Sequence, residues 1–173
     1  MSAVIESHHD DHHHGPAKGF SRWLYTTNHK DIGSLYLWFS FIMLFVGGAM
    51  AMVIRAELFE PGSQIVSPEF YNQMVTNHGL IMVFGVIMPA FVGLANWMIP
   101  MQIGAPDMAL PRLNNLSFWI LPAAFGVLLS TFLMEGGAPN FGWTFYAPLS
   151  TEYAPPTVTC LLYTSDAADD MFR

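Results

Sequence analysis

The chain has 173 residues, of which 53% are hydrophobic, 14% aromatic and only 11% charged, against roughly 25% charged in an ordinary soluble domain. Its formal net charge is −7 with six Lys and Arg in total, so no cationic surface is available to hold nucleic acid by counterion release. A single cysteine, Cys160, permits no internal disulfide and no thiolate cage for zinc or iron–sulfur, whereas 12 Met, 14 Phe and 14 Gly suit helices packed in a bilayer.

Residues 1–21 form an acidic, His-rich leader containing His8-His9-Asp10-Asp11-His12-His13-His14. Such tracts bind transition metals by composition alone, and the plainer reading is a solvated tail. The leader has no basic n-region followed by an apolar core, so it is not read as a cleavable signal. Three charge-free stretches follow, at residues 32–54 (23 residues), 70–106 (37) and 113–134 (22). Each is long enough to cross a hydrocarbon core of ~30 Å, which takes about 20 helical residues. The polar run at residues 71–77 trims the second, so the predicted spans are about 32–54, 78–100 and 116–134, an all-α membrane protein. Pro89, Pro100 and Pro122 are tolerable inside membrane helices, and Pro89 predicts a kink. No internal repeat or second soluble domain is visible.

The cations set the expected orientation. Lys18, Arg22 and Lys30 precede the first span and Arg112 separates the second from the third, which places these segments on the cytoplasmic side. The acidic segments with Glu57, Glu60 and Glu69, and with Glu135 and Glu152, fall outside.

His78 is the histidine that borders a predicted span, where an ionisable group is costly unless it has a function. Two readings stand side by side: a ligand, since neutral imidazole binds haem iron, and a hydrogen-bonded helix cap. Arg55, at the outer end of the first span, is expected at a similar depth, as a partner for a haem substituent or as a snorkelling anchor. Trp143 and Tyr146 fall near that depth and fit an aromatic belt. At the opposite face Asp107, with the amides of Asn96 and Asn114, fits a proton-collecting entrance with ordered water, or else a solvated loop acid paired with Arg112.

Several longer strings are more specific. Trp23-Leu24-Tyr25-Thr26-Thr27-Asn28-His29-Lys30-Asp31-Ile32-Gly33, Ile54-Arg55-Ala56-Glu57-Leu58, Thr76-Asn77-His78-Gly79, Ile103-Gly104-Ala105-Pro106-Asp107-Met108-Ala109 and Arg112-Leu113-Asn114-Asn115-Leu116-Ser117-Phe118-Trp119 resemble the amino-terminal part of subunit I of the haem–copper oxidases, the cytochrome c oxidase branch in particular. The resemblance runs from about Arg22 to Thr159. It implies the first three helices of a twelve-helix fold and a partial domain over residues 22–159.

By position, the resemblance makes His78 an axial ligand of the low-spin haem A and Arg55 the donor to that haem's formyl group. Tyr71 matches a residue on a propionate of the same haem, and Trp143 one near the propionate of the high-spin haem. Asp107, with Asn96 and Asn114, matches the inlet of a proton pathway. Glu57, Gly62 and Gln64 match a structural Ca²⁺ or Na⁺ site, and an oxygen-rich turn suits such a cation. The implied activity is transfer of electrons from cytochrome c to O₂, giving water with coupled proton pumping, in a bacterial inner membrane and in complex with subunits II and III. The second histidine of the low-spin haem, the ligands of copper B and the ligand of the high-spin haem are expected in later helices, and these 173 residues alone are expected to be inactive.

The other readings are a quinol oxidase of the same superfamily and a cofactor-free transporter or assembly protein in which His78 caps a helix. From Cys160 onward the resemblance lapses, and Asp166, Asp169 and Asp170 exclude a membrane span. Residues 160–173 are therefore read as a non-family tail, the product of an adapter or a frameshift.

Overall fold

The computed structural model describes residues 19–62, 65–134, 136–150 and 152. The His-rich leader, Gln64 and the segment from Cys160 lie outside the described residues. A short helix, α1 (Phe20–Tyr25), leads into the first long one, α2 (His29–Glu57). Asn28 caps α2 by accepting from the Lys30 amide at 3.0 Å, which satisfies one of the amides a helix start leaves free. Arg22 pairs with Asp31 at 3.0 Å and ties α1 to the first turn of α2.

Three helices are long and apolar enough to span a membrane: His29–Glu57, Pro68–Ile103 and Pro111–Leu133. The second starts ten residues before the predicted His78, because the polar stretch 71–77 does not end it. Ser67 caps it by accepting from the Phe70 amide, and Pro68 occupies a first-turn position where its missing N–H costs nothing. Thr76 and Asn77 turn their side chains onto the carbonyls of Asn72 and Gln73, both at 2.8 Å. The Thr76 hydroxyl and the Asn77 amide N–H thereby find acceptors within the helix, while Asn77 Oδ1 is buried without a partner, and hydropathy alone misplaced the helix start.

The second span is α3 (Pro68–Leu80), a π-helical stretch (Ile81–Ile87) and α4 (Met88–Ile103). The expected disturbance at Pro89 takes the form of this wide turn. A proline ring crowds the carbonyl four residues back, and widening the preceding turn is one way a helix relieves it. Ser40 of α2 donates to the Val86 carbonyl at 2.8 Å in the same stretch. Left-handed Gly104 ends α4, with the Ala105 amide returning to the Pro100 carbonyl at 2.9 Å. The third span is α5 (Pro111–Ser130) followed by a 3₁₀ turn (Thr131–Leu133). It starts five residues before the predicted 116.

The core lies along one stripe of α2. Ile32, Tyr36, Phe39, Met43 and Met50 are buried there, at three-, four- and seven-residue spacings that keep them on one face. From α5, Phe118 meets Tyr36 edge-on at 5.1 Å between ring centroids, and Phe125 meets Phe39 at 5.7 Å. Toward the second span the contact is tighter. A Cβ on Gly33 would lie 2.9 Å from the Gly93 carbonyl oxygen, and one on Gly93 3.0 Å from that of Gly33, so backbone packs on backbone as small residues allow in membranes.

Packing sorts the polar residues into two ends. Arg22, Lys30, Asp31, Asp107 and Arg112 gather where α2 begins and α4 gives way to α5. Arg55, Glu57 and the segment 136–150 lie at the other. That segment folds over α3, with the Gly142 amide donating to Thr76 Oγ1 at 3.0 Å and Asn77 Nδ2 to the Pro139 carbonyl at 3.3 Å.

A histidine-centred candidate cofactor site and a polar inlet

His78 is the eleventh residue of the helix that starts at Pro68, so it does not cap a helix end. Its Nδ1 lies 2.9 Å from the Gly47 carbonyl oxygen of α2. A carbonyl only accepts, so Nδ1 carries a proton, and in the neutral ring the lone pair is on Nε2. Nε2 has no hydrogen-bond partner among the described residues. This is the arrangement in which a ligand histidine is held, its second nitrogen fixed on a backbone carbonyl. The donor chemistry therefore fits haem iron.

Gly47 makes that contact possible. A Cβ there would lie 2.7 Å from Met82 Sδ and 3.2 Å from Ile81 Cγ2, so a larger residue fits at this close approach only if the Met82 and Ile81 side chains shift. Nothing in the sequence marked Gly47 among 14 glycines, because the requirement comes from a neighbouring helix. Trp143 also belongs to this end: a Cβ on Gly79, the residue after His78, would be 3.4 Å from Trp143 Cδ1. The indole stands 6.5 Å from the Phe84 ring.

Arg55 is exposed in the last turn of α2 and makes no contact with a carboxylate among the described residues. It does not share the depth of His78 as expected. His78 is level with Gly47, and eight further residues put the Arg55 backbone about 12 Å along the axis. Tyr71 precedes His78 by two helical turns and so shares its face. It lines a cavity of about 510 Å³ with Glu57, Gly62 and Glu60. Buried Glu57 directs Oε2 at the amides of Ile65 and Val66, at 2.9 and 3.0 Å, and so organises the turn implied to hold a cation. Gln64 lies outside the described residues. Among those described, no group of three or more His, Cys, Asp and Glu side chains is disposed to hold a metal.

At the opposite end the structure replaces the pairing of Asp107 with Arg112 by another. Asp107 Oδ1 lies 3.2 Å from His29 Nδ1 and accepts from the Met108 amide at 2.8 Å. His29 is 7% exposed at its side chain and Asp107 40%, so a solvent-facing acid touches a buried base. His29 Nε2 is buried without a partner. Sequence reasoning began the first span at residue 32 and left this histidine outside it, whereas α2 begins on it. Higher up, Asn96 and Asn114 exchange hydrogen bonds of 3.4 and 3.2 Å between their amides. Ser117 Oγ donates to the Asn114 carbonyl at 2.7 Å and lies 2.9 Å from the buried Tyr36 hydroxyl. The inlet residues named from sequence thus fall into two groups, Asp107 with His29 and Asn96 with Asn114, which Ser117 and Tyr36 extend.

Comparison with known proteins identifies the relatives of this chain. Residues 31–168 match the family model "Cytochrome C and Quinol oxidase polypeptide I". The match ends inside the segment that starts at Cys160, nine residues past Thr159. The chain is 48% identical over 146 residues to cytochrome c oxidase subunit 1 of Corynebacterium diphtheriae, covering 83% of this chain and 26% of that protein. It is 48% identical over 145 residues to a probable cytochrome c oxidase subunit 1-alpha of Streptomyces avermitilis, covering 83% of this chain and 25% of that one. To the haem–copper oxidase subunit I+III of Aeropyrum pernix it is 47% identical over 137 residues, 79% of this chain and 17% of the relative. The chain thus spans about a quarter of the length of the first two. Three membrane-length apolar helices, a ligand-competent histidine on the second and a family match across most of the sequence lead to one conclusion: this chain belongs to the haem–copper oxidase subunit I family.

Proposed function

We propose that this chain supplies the first three helices of a cytochrome c oxidase subunit I in a bacterial plasma membrane, its cation-bearing end toward the cytoplasm. The observation that carries the reading is the His78–Gly47 bond, which leaves Nε2 ready to ligate iron. In the complete subunit, His78 would hold the iron of a low-spin haem A through Nε2, Arg55 would donate to its formyl group, and Tyr71 and Trp143 would hold haem propionates. When bound, the haem and copper groups supply the electron transfer and the reduction of O₂ to water. The chain's own residues hold, orient and deliver protons. Asp107 takes protons from the cytoplasm beside His29, and the amides of Asn96 and Asn114 order the water that leads inward. Subunits II and III and cytochrome c are the partners this reading requires. The names of the relatives favour cytochrome c over quinol as the donor.

The geometry at Gly47 provides a test away from the ligand itself. In the complete enzyme, Gly47→Val forces α2 off Ile81 and Met82, at about 1–3 kcal/mol for overpacking, and pulls the carbonyl away from Nδ1. Loss of such a supporting bond weakens metal-group binding by roughly 10–100-fold. The expected result is a reduced-minus-oxidised spectrum depleted in the low-spin band relative to the high-spin one. Equal occupancy of both haems in the variant rejects the supporting role.

The same reading places a Ca²⁺ or Na⁺ in the outer turn, held by Glu57, Gly62 and Gln64. Chelator dialysis of the complete enzyme is expected to lower its melting temperature, and re-addition of the cation to restore it. An unchanged melting curve removes the cation from the turn.

A further inference from the structure

The segment 136–150 carries Trp143 across α3 and is tied down by the two side chains that precede His78. Thr76, 1% exposed, uses both capacities of its hydroxyl. It donates to the Asn72 carbonyl at 2.8 Å and accepts from the Gly142 amide at 3.0 Å. The first bond commits the hydroxyl proton, which leaves the oxygen lone pairs for Gly142. Asn77 Nδ2 anchors the start of the segment by donating to the Pro139 carbonyl at 3.3 Å.

Gly142 immediately precedes Trp143 and opens a constrained turn. Its φ is 85° and that of Phe145 is 55°, and a bulky residue keeps a left-handed backbone only where its surroundings impose it. The Phe145 amide returns to the Gly142 carbonyl at 3.4 Å, and the Phe145 carbonyl accepts from Ser150 Oγ at 2.9 Å. The Phe145 ring meets the buried Phe141 ring at 5.0 Å between centroids. The turn is thus closed on itself, and the Thr76 hydroxyl joins it to α3. Trp143 lies against the backbone of Gly79, one residue past His78, and is half-exposed. Its indole N–H has no hydrogen-bond partner among the described residues.

We propose that Thr76 is a positioning residue: by holding the Gly142 amide it aims the Trp143 indole N–H at a haem propionate and locks that donor to the helical turn that bears His78. The inference rests on the reading of Trp143 as a propionate residue of the high-spin haem. Thr76 precedes His78 by two residues, so a single turn of α3 sets the ligand of one haem and the propionate partner of the other. Thr76 acts through the Gly142 amide rather than on the haem itself. An N–H donated to a propionate draws its negative charge away from the iron and so favours the ferrous form, and displacing the donor reverses this and lowers the potential. Valine at this position keeps the branched shape and removes both hydrogen bonds, whereas serine keeps the hydroxyl.

The test uses the complete, cofactor-loaded enzyme. Redox titration reads the midpoint potential of the high-spin haem, and ultraviolet resonance Raman difference spectra against Trp143→Phe isolate the indole of Trp143. Thr76→Val is expected to shift the Trp143 indole bands and to lower the high-spin potential, in the same direction as Trp143→Phe and by less, with the low-spin absorption unchanged. Thr76→Ser is expected to restore both signals. A role in packing alone predicts a lower melting temperature with neither shift, and that result overturns the proposal. Unchanged high-spin potential in Trp143→Phe rejects the propionate reading of Trp143 and the proposal with it, whereas a shift in Trp143→Phe that Thr76→Val does not share rejects the role of Thr76 alone. A cryo-EM map of the unmutated enzyme answers without any variant: Thr76 Oγ1 on the Gly142 amide and the indole N–H on a propionate support the proposal, and a Gly142 amide bonded to another acceptor overturns it.

Discussion

His78→Ala in the complete, cofactor-loaded enzyme is expected to abolish the low-spin haem band and with it electron delivery to oxygen. Two losses coincide at this position. Alanine offers no lone pair to iron, and the Gly47 carbonyl loses the donor now 2.9 Å away. Gly47 lies inside α2, so its carbonyl keeps its helical partner, and loss of the one further hydrogen bond costs about 0.5–1.5 kcal/mol, so a modest destabilisation of the α2–α3 contact accompanies the spectral loss. The two effects separate by measurement: pyridine haemochrome analysis counts haem retained, and melting reports packing. A variant that folds, keeps both haems and shows an unshifted low-spin band removes His78 from the ligand set and undermines the oxidase reading of this chain.

Asp107→Asn is the second large effect, and it acts through protons rather than through haem. Asparagine keeps the shape and accepts the Met108 amide bond but cannot take up and release a proton. A positioned proton-transfer group commonly contributes 10²–10⁴-fold, so turnover limited by cytoplasmic proton uptake should fall by roughly 10²-fold while the haem spectra remain those of the wild type. His29→Gln tests the base touching this acid. If His29 only packs, the variant keeps the wild-type pH profile of uptake. If it positions the Asp107 carboxylate through the 3.2 Å contact, the profile changes with Asp107 still in place. Stopped-flow proton uptake with the complete enzyme in vesicles distinguishes these outcomes, and unaltered uptake in Asp107→Asn removes the inlet assignment.

The relation between sequence and structure differs from residue to residue. The three crossings were legible because a bilayer imposes a minimum length of apolar helix, and the charge-free runs meet it. Their ends were not. Residues 71–77 read as polar and yet continue the second helix, since Thr76 and Asn77 bond to carbonyls one turn back and to residues 139 and 142 of a distant loop. His78, Asp107, Asn96 and Asn114 were singled out by residue type and position along the spans, whereas His29 stood in one of the family strings without a role. Its burial and its contact with Asp107 bring together residues 78 positions apart, a separation that no local pattern encodes.

Composition, hydropathy and residue type are properties of the chain itself, so the sequence by itself determined that this is a membrane helical protein and which side chains are candidates for ligand or proton chemistry. The tertiary structure decided which nitrogen of His78 stays free, which partner Asp107 takes and why position 47 favours a residue without a side chain. Each of these depends on the close approach of two helices distant in sequence, and hydrogen bonds and steric exclusion act only across such contacts.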